Sequence, residues 1–452
     1  MKSFVDMLTG KKVNVWQCPD FAGAEYSAED CTASTRNLER AGGKFVKSLK
    51  KFSPQPYSDM EIRYPHYFEQ HNPDGTVLKR YVFGLNKDKK LVYFDLEQPA
   101  SVSVTREDVT YDREPVFIDY NYNGKDYLLI NGAESGFFVF DGDFDKSEEE
   151  NPMVTGAALY DGKLFACSSD NFSGVKYMTP SAPGSWSSKF TALLVYNECG
   201  KAQSLATVKN YIYVFQTNGI SRISRAQSDN YSVAKMWQCG EEIYGETVKV
   251  VGDEMWFFTS RGLYRFDGGS VKPALGADIF KAGRSSRIAL YDGKIFAATH
   301  MGGDGEDNNA LLVYDTATDE WGVYTDVGIV SFCAFKDSRL MVCFSDDSVA
   351  FLSEREQEGE TLCALNDASG RFLVNVNFGL QGRKQLAAIK IKTQSDAEIT
   401  VYADGRARKY FVKGMARAQF LKDLRCAEQF AVEISAGQAD FSAPVIYFSE
   451  EN

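Results

Sequence analysis

The sequence predicts an all-β chain: a six- or seven-bladed β-propeller followed by a small antiparallel β-sandwich. Three observations predict it. The phrase "YDGKLFACSS" at 160–169 returns as "YDGKIFAATH" at 291–300, and looser versions recur about every 40 to 50 residues, the period of a propeller blade. The aromatic content is 13%, with 32 Phe and 24 Tyr, a bias toward strand formers. Segments of this period that formed a helical solenoid would need 3.6-residue spacing of apolar positions, and they lack it.

Residues 1–60 carry no repeat grammar. They include "STRNLERAGGKFVKSLKKF" and are expected to form an extended arm, with one strand helping to close the ring. Lys44, Lys47, Lys50 and Lys51 make a local basic patch in this arm, suited either to an acidic neighbour or to solvent.

Residues 61–355 are expected to be the propeller. Its units start near 77, 118, 158, 206, 248, 287 and 331. Each reads as strand, tight turn, strand. Asp-Gly supplies the positive φ angles of a two-residue hairpin turn. Tyr211, Tyr213 and Phe215 alternate along one first strand, the period-two signal of a strand. Several second strands end in an aromatic followed by Asp, as at Phe140-Asp141, Phe266-Asp267 and Tyr314-Asp315. The stretch "KRYVFGLNKDKKLVYFDLE" at 79–97 fits this grammar less well. Trp186 and Trp321, in the phrases "GSW" and "DEW", read as tryptophans that pack blade on blade.

The acidic run "SEREQEGE" at 353–360 is the expected linker. From 362 to 452 the style changes. Six strand-like runs, from "RFLVNVNFG" to "APVIYFSE", are joined by polar turns, enough for a small sandwich.

The net charge of −12 sets the surface against nucleic-acid phosphates. It argues against a DNA- or RNA-gripping role, though not against a channel wall that DNA slides past. The nine cysteines are odd in number and widely spaced, with no CxxC, which points to reduced thiols made in a cytoplasm. Cys167, Cys333 and Cys343 sit inside apolar strand-like runs. The start, "MKSFVDMLTGKKVNVW", lacks the apolar core of a signal peptide, and no run of 18 apolar residues occurs, so export and a membrane span are not expected.

No catalytic centre is expected. The chain has three histidines. His66 and His71 fall in a stretch read as irregular and His300 ends a strand, without HxxH, HExxH or GxSxG. Asp141, Asp143 and Asp145 in "DGDFDKSEEE" resemble a calcium loop, but Lys146 and Pro152 stand where an EF-hand needs Gly and Glu. "GGDGEDNN" at 302–309 is a second Gly/Asp loop. Both read as solvated connections between strands. No catalytic, cofactor-binding or metal-binding residue is assigned.

The opening "FAGAEYSAEDCTASTRNLERAGGKFVKSLKKFSP" resembles the start of β-propeller virion proteins of tailed phages and prophages, through Phe21, Gly23, Arg36, Asn37, Gly42, Gly43 and Lys44. "GETVKVVGDEMWFFTSRGLYRFDGGSVKPALGADIF" and "LLVYDTATDEWGVYTD" are similar to blade phrases of the same proteins. Among such proteins, the chain resembles the packaged-DNA stabilisation, or tail-nozzle, propellers of short-tailed phages. It implies a non-enzymatic structural protein of the virion, synthesised in the bacterial host cytoplasm. It also implies a homo-oligomeric ring at the head–tail junction or tail, with portal, adaptor or tail proteins as partners. No short motif carries that function, so the resemblance transfers no functional residue. Two other readings rank below it: a bacterial ligand- or carbohydrate-binding propeller, and a cellular scaffold of the Kelch or WD type.

Overall fold

The structure, a computed structural model, describes residues 2–5, 12–17, 25–27, 31–41, 44–46, 49–54, 57–98, 102–104, 110–131, 138–142, 144–146, 154–168, 174–178, 191–227, 230–276, 280, 282–302, 307–336, 339–354, 357–376, 383–414, 426–437 and 440–450. Short β-strands joined by tight turns dominate these residues. The turns are where the sequence places them. Asp161 and Gly162 have φ of 54° and 69°, and Asp292 and Gly293 have 47° and 73°. These are the paired left-handed angles of a hairpin turn that matches strand twist.

Among the described residues the strands build seven antiparallel blades, six of four strands and the seventh of five. The inner strands, in order, are Arg63–His71, Val116–Tyr122, Val154–Tyr160, Ala202–Val208, Lys249–Val251, Arg287–Tyr291 and Ile329–Ala334. Each neighbours the next blade, and the seventh meets the first, so the ring is closed. Blade 1 is as regular as the others. The stretch that fitted the repeat less well supplies its Val77–Leu85 and Leu91–Asp95 hairpin. His66 and His71 lie on its inner strand, not in irregular chain.

The seventh blade takes its outer strand from the other end of the molecule. Lys50–Phe52 pairs with Val349–Ser353, Phe52 opposite Phe351, and Cys363–Ala364 pairs outside it. This N-terminal strand closes the ring.

One apolar cluster fills each of the seven blade interfaces. Phe83, Leu128 and Phe140 belong to the first, Phe165 and Val214 to the third, Trp256, Leu312 and Trp321 to the fifth. Trp321 lies tilted against its cross-strand neighbour Tyr314 at 4.5 Å and joins Trp256 and Phe258 of the preceding blade in one cluster, the packing role expected of it. Trp186 lies outside the described residues.

Tyr314 carries a pH consequence. Burial, and the 2.6 Å hydrogen bond its phenol donates to Asp319, push its pKa up to about 12. A tyrosine ionises near 10 when the chain is unfolded. The native state therefore holds this proton more tightly, and the stability it confers is complete below pH 10 and falls as pH rises toward 12. Alkaline spectrophotometric titration is expected to show a delayed phenol that a Tyr314→Phe variant lacks.

Burial also pushes the Cys167 and Cys343 thiols up, and Cys333 up to about 12, while Cys363 is exposed. Because the thiolate is the reactive form, alkylation of the native protein followed by peptide mass spectrometry should mark Cys363. Cys167, Cys333 and Cys343 should react only after denaturation. Labelling of those three at the rate of Cys363 would contradict the packing.

The six expected C-terminal strands are present, but the sandwich is not theirs alone. One sheet runs Lys2–Val5, Lys12–Gln17, Val445–Glu450, Lys384–Lys390, Cys426–Ala427. The other runs Glu25–Ser27, Cys31–Arg36, Gly370–Val376, Phe430–Ala436, Ala397–Ala403, Arg406–Val412. Trp16, Leu38 and Phe45 share one core with Phe372, Ile389, Ile434 and Phe448. Residues 1–60, read as an arm, thus supply sandwich strands and one blade strand. The propeller is inserted within the sandwich.

Candidate functional site

The chain leaves the sandwich at Arg36 and crosses onto blade 6. Asn37 adopts φ of 54°, a left-handed angle that asparagine tolerates better than most residues. Its side-chain oxygen accepts hydrogen bonds from the Thr325 backbone at 2.9 Å and from the Asn366 amide at 2.8 Å. Leu38 bridges to Val323. Glu39 is buried, and accepts hydrogen bonds from the Tyr324 hydroxyl and from Lys294 Nζ at 3.1 Å. Lys294 also pairs with Glu354, where the propeller ends. A Cβ on Gly322 would lie 2.8 Å from Glu39 Cγ, so this glycine makes room for the segment. The residues thus yoke sandwich to propeller through one buried charge cluster.

The second constellation sits at the mouth of the axial channel, where the linkers enter the inner strands. Tyr64 has φ of 53°, at a register shift between Arg63 and His66. A bulky side chain in this region is strained by roughly 1–3 kcal/mol. The Tyr64 backbone N–H donates to Ser331 Oγ at 3.0 Å. The Arg287 guanidinium lies 5.6 Å from the Tyr64 ring centre. Burial raises the Tyr64 pKa against the opposing charge of Arg287.

Arg287 is itself 9% exposed. It donates to the carbonyls of Arg284 at 2.6 Å and Ser286 at 2.8 Å, and pairs with Glu114 at 2.7 Å. Arg287 belongs to blade 6, Tyr64 to blade 1, and Glu114 to the entry of blade 2. The contact therefore reaches across the mouth. Arg63 paired with Asp347 adds a second link between blades 1 and 7.

On the side bounded by blades 2 to 6 lies a cavity of about 450 Å³. Its apolar wall is Pro115, Val116, Ala157, Ala202 and Val248. Gln203 donates to Thr217 Oγ1 at 3.2 Å and accepts from the Gly245 N–H at 3.0 Å, which fixes its amide. Cβ atoms on Gly156 and Gly245 would approach Ser204 Cα to 2.9 Å and Gln203 Cβ to 2.6 Å, so neighbouring blades are locked here by close backbone approach. Of the rim cations, Arg284 pairs with Glu246 at 3.0 Å and with Glu242. Arg113 has no carboxylate partner among the described residues.

The candidates singled out in the sequence lie elsewhere. His66 Nε2 faces Asp119 at 2.8 Å and stacks on Phe117, while His71 Nδ1 faces Asp126 at 2.9 Å, so both tie blade 1 to blade 2. His300 turns its ring nitrogens to the carbonyls of Asp307 and Gly302. Asp141 pairs with Lys125. Asp143 and the Asp145 side chain lie outside the described residues, as do residues 303–306 of the second loop and Lys47. Lys44 pairs with Asp440 at 3.1 Å, and Lys51 lies over the Phe344 ring. Among the described residues no three His, Cys, Asp or Glu are grouped to hold a metal, and no helix is long and apolar enough to cross a membrane. Sequence reasoning missed Tyr64, Arg113, Glu114 and Arg287. Arg113 and Glu114 stand in the linker before blade 2, and Tyr64 and Arg287 at the first residues of inner strands, where the repeat has no grammar; Arg287 meets Glu114 only across the ring.

Fold and sheet order define the molecule as a seven-bladed β-propeller set into a β-sandwich. No protein-family model matches the chain, and no curated protein is similar to it. Among solved structures it is similar to the extracellular domain of BT4673 from B. thetaiotaomicron, with 13% identity, 84% of this chain covered and a TM-score of 0.45. The match takes in 48% of that chain, so this protein spans about half its length. It is also similar to streptogramin B lyase, with 13% identity over 68% of this chain and 97% of that one at a TM-score of 0.44. A third is the WD40 β-propeller domain of Doa1, with 14% identity over 68% and 97% at 0.45.

Proposed function

We propose that this chain is a non-enzymatic structural protein of the virion of a tailed phage or prophage. It assembles as a homo-oligomeric ring at the head–tail junction or tail, as a nozzle or DNA-retention plug. Its partners are portal, adaptor or tail proteins. One observation supports this reading above others. Two of the stretches that carry the phage resemblance, around Arg36-Asn37 and in "LLVYDTATDEWGVYTD", meet at Asn37–Thr325, Leu38–Val323 and Glu39–Tyr324. Part of what resembles the phage proteins is thus one built feature, the yoke between two modules. Arg287 and Glu114 span the propeller's own mouth, so in this reading DNA passes through the opening between copies. A chain of net charge −12 lets it slide.

Light scattering followed by negative-stain imaging tests the proposal, first alone and then with portal and adaptor proteins. A multi-copy ring with a central opening is the expected result. A monomer that stays single and unbound with those proteins would overturn it. The cavity at the channel mouth favours the second reading, a ligand-binding propeller.

A further inference from the structure

We infer that the cavity at the channel mouth binds a small hydroxylated carboxylate, a sugar acid, with Arg113 as its anion anchor. The inference does not depend on ring assembly. Four features carry it. The cavity, about 450 Å³, falls in the size range of small-molecule sites. It is preformed, because Gly156 and Gly245 let adjacent blades meet backbone to backbone. Its wall pairs an apolar side at Val116 and Val248 with Ser204, Thr217 and the fixed amide of Gln203. That combination suits a ring with one apolar face and several hydroxyls.

The fourth feature is charge. Arg284 is committed to Glu242 and Glu246, and Glu114 to Arg287. Arg113 is left as a guanidinium on the cavity wall with no acidic partner among the described residues. A planar guanidinium binds a carboxylate through two parallel hydrogen bonds. Lys201 is a further cation on this wall, and the apolar side at Val116 and Val248 favours an organic acid over a bare phosphate.

Isothermal titration of the full chain with D-glucuronate and N-acetylneuraminate tests this, with glucose and inorganic phosphate as controls. At least one acid is expected to bind with a Kd of about 1 mM or tighter. Arg113→Ala should weaken it by about tenfold or more, with Arg113→Lys in between. The melting temperature should not move, since Arg113 holds no other group among the described residues. Absence of heat with both acids at about 10 mM, equal binding of glucose or phosphate, or unchanged affinity in Arg113→Ala would overturn the inference. A ring seen by light scattering would survive that failure.

Discussion

Replacing Glu39 with alanine is expected to lower the free energy of unfolding by about 3–5 kcal/mol, the cost of breaking a buried ion pair from one side. Glu39 carries the link between two modules. Its carboxylate holds Lys294 at 3.1 Å and the Tyr324 hydroxyl, which in turn accepts the Leu49 N–H at 3.2 Å. Lys294 would keep Glu354, so some of the charge stays compensated. Burial pushes the Lys294 pKa down, but Glu39 and Glu354 outweigh it and leave the ammonium raised. The part linked to the lysine proton is therefore present below the ordinary lysine range and is lost as the pH rises through that raised value. Urea unfolding at neutral pH measures the effect. A midpoint unchanged from the wild type would mean that the yoke is ornamental.

Arg287→Met is expected to cost about 3 kcal/mol, the lower end for a buried pair, because Glu114 keeps partial access to water. Methionine fills much of the volume but leaves the Arg284 and Ser286 carbonyls without their donor. It also removes the cation from beside the Tyr64 ring. A double-mutant cycle with Glu114→Gln should give a coupling of about 1 kcal/mol or more. Additive single effects would show that the two residues do not act as a pair.

The hairpins were legible in the sequence for a local reason. Turn and both strands lie within about a dozen residues, and Asp-Gly at 161–162 or 292–293 states the turn type outright. The blade number narrowed from six or seven to seven because the least regular unit, at 79–97, still pairs as a hairpin. What failed was non-local. Cys31–Arg36 pairs with Gly370–Val376, and Lys12–Gln17 with Val445–Glu450. A strand whose partner lies hundreds of residues away leaves no periodic mark at its own position. His66 was misplaced because the bulge at Tyr64 breaks the alternation that would have marked a strand. The channel-mouth residues left no signal at all, since Arg287 and Glu114 acquire meaning only once the ring brings blades 6 and 2 face to face.

Insertion of the propeller into the sandwich dictates an order of events on the ribosome. Lys12–Gln17 and Cys31–Arg36 are translated before the propeller, yet their neighbours, Val445–Glu450 and Gly370–Val376, emerge only after it. The strand that seals blade 7, Lys50–Phe52, likewise waits for Val349–Ser353. For most of translation the nascent chain carries unpaired edges that can capture another copy's strands. The ring can close as soon as Val349–Ser353 has emerged, and the sandwich only once Val445–Glu450 has followed. A truncation that removes the last strand takes away the neighbour of the second, and so strips the beginning of the chain as well as its end.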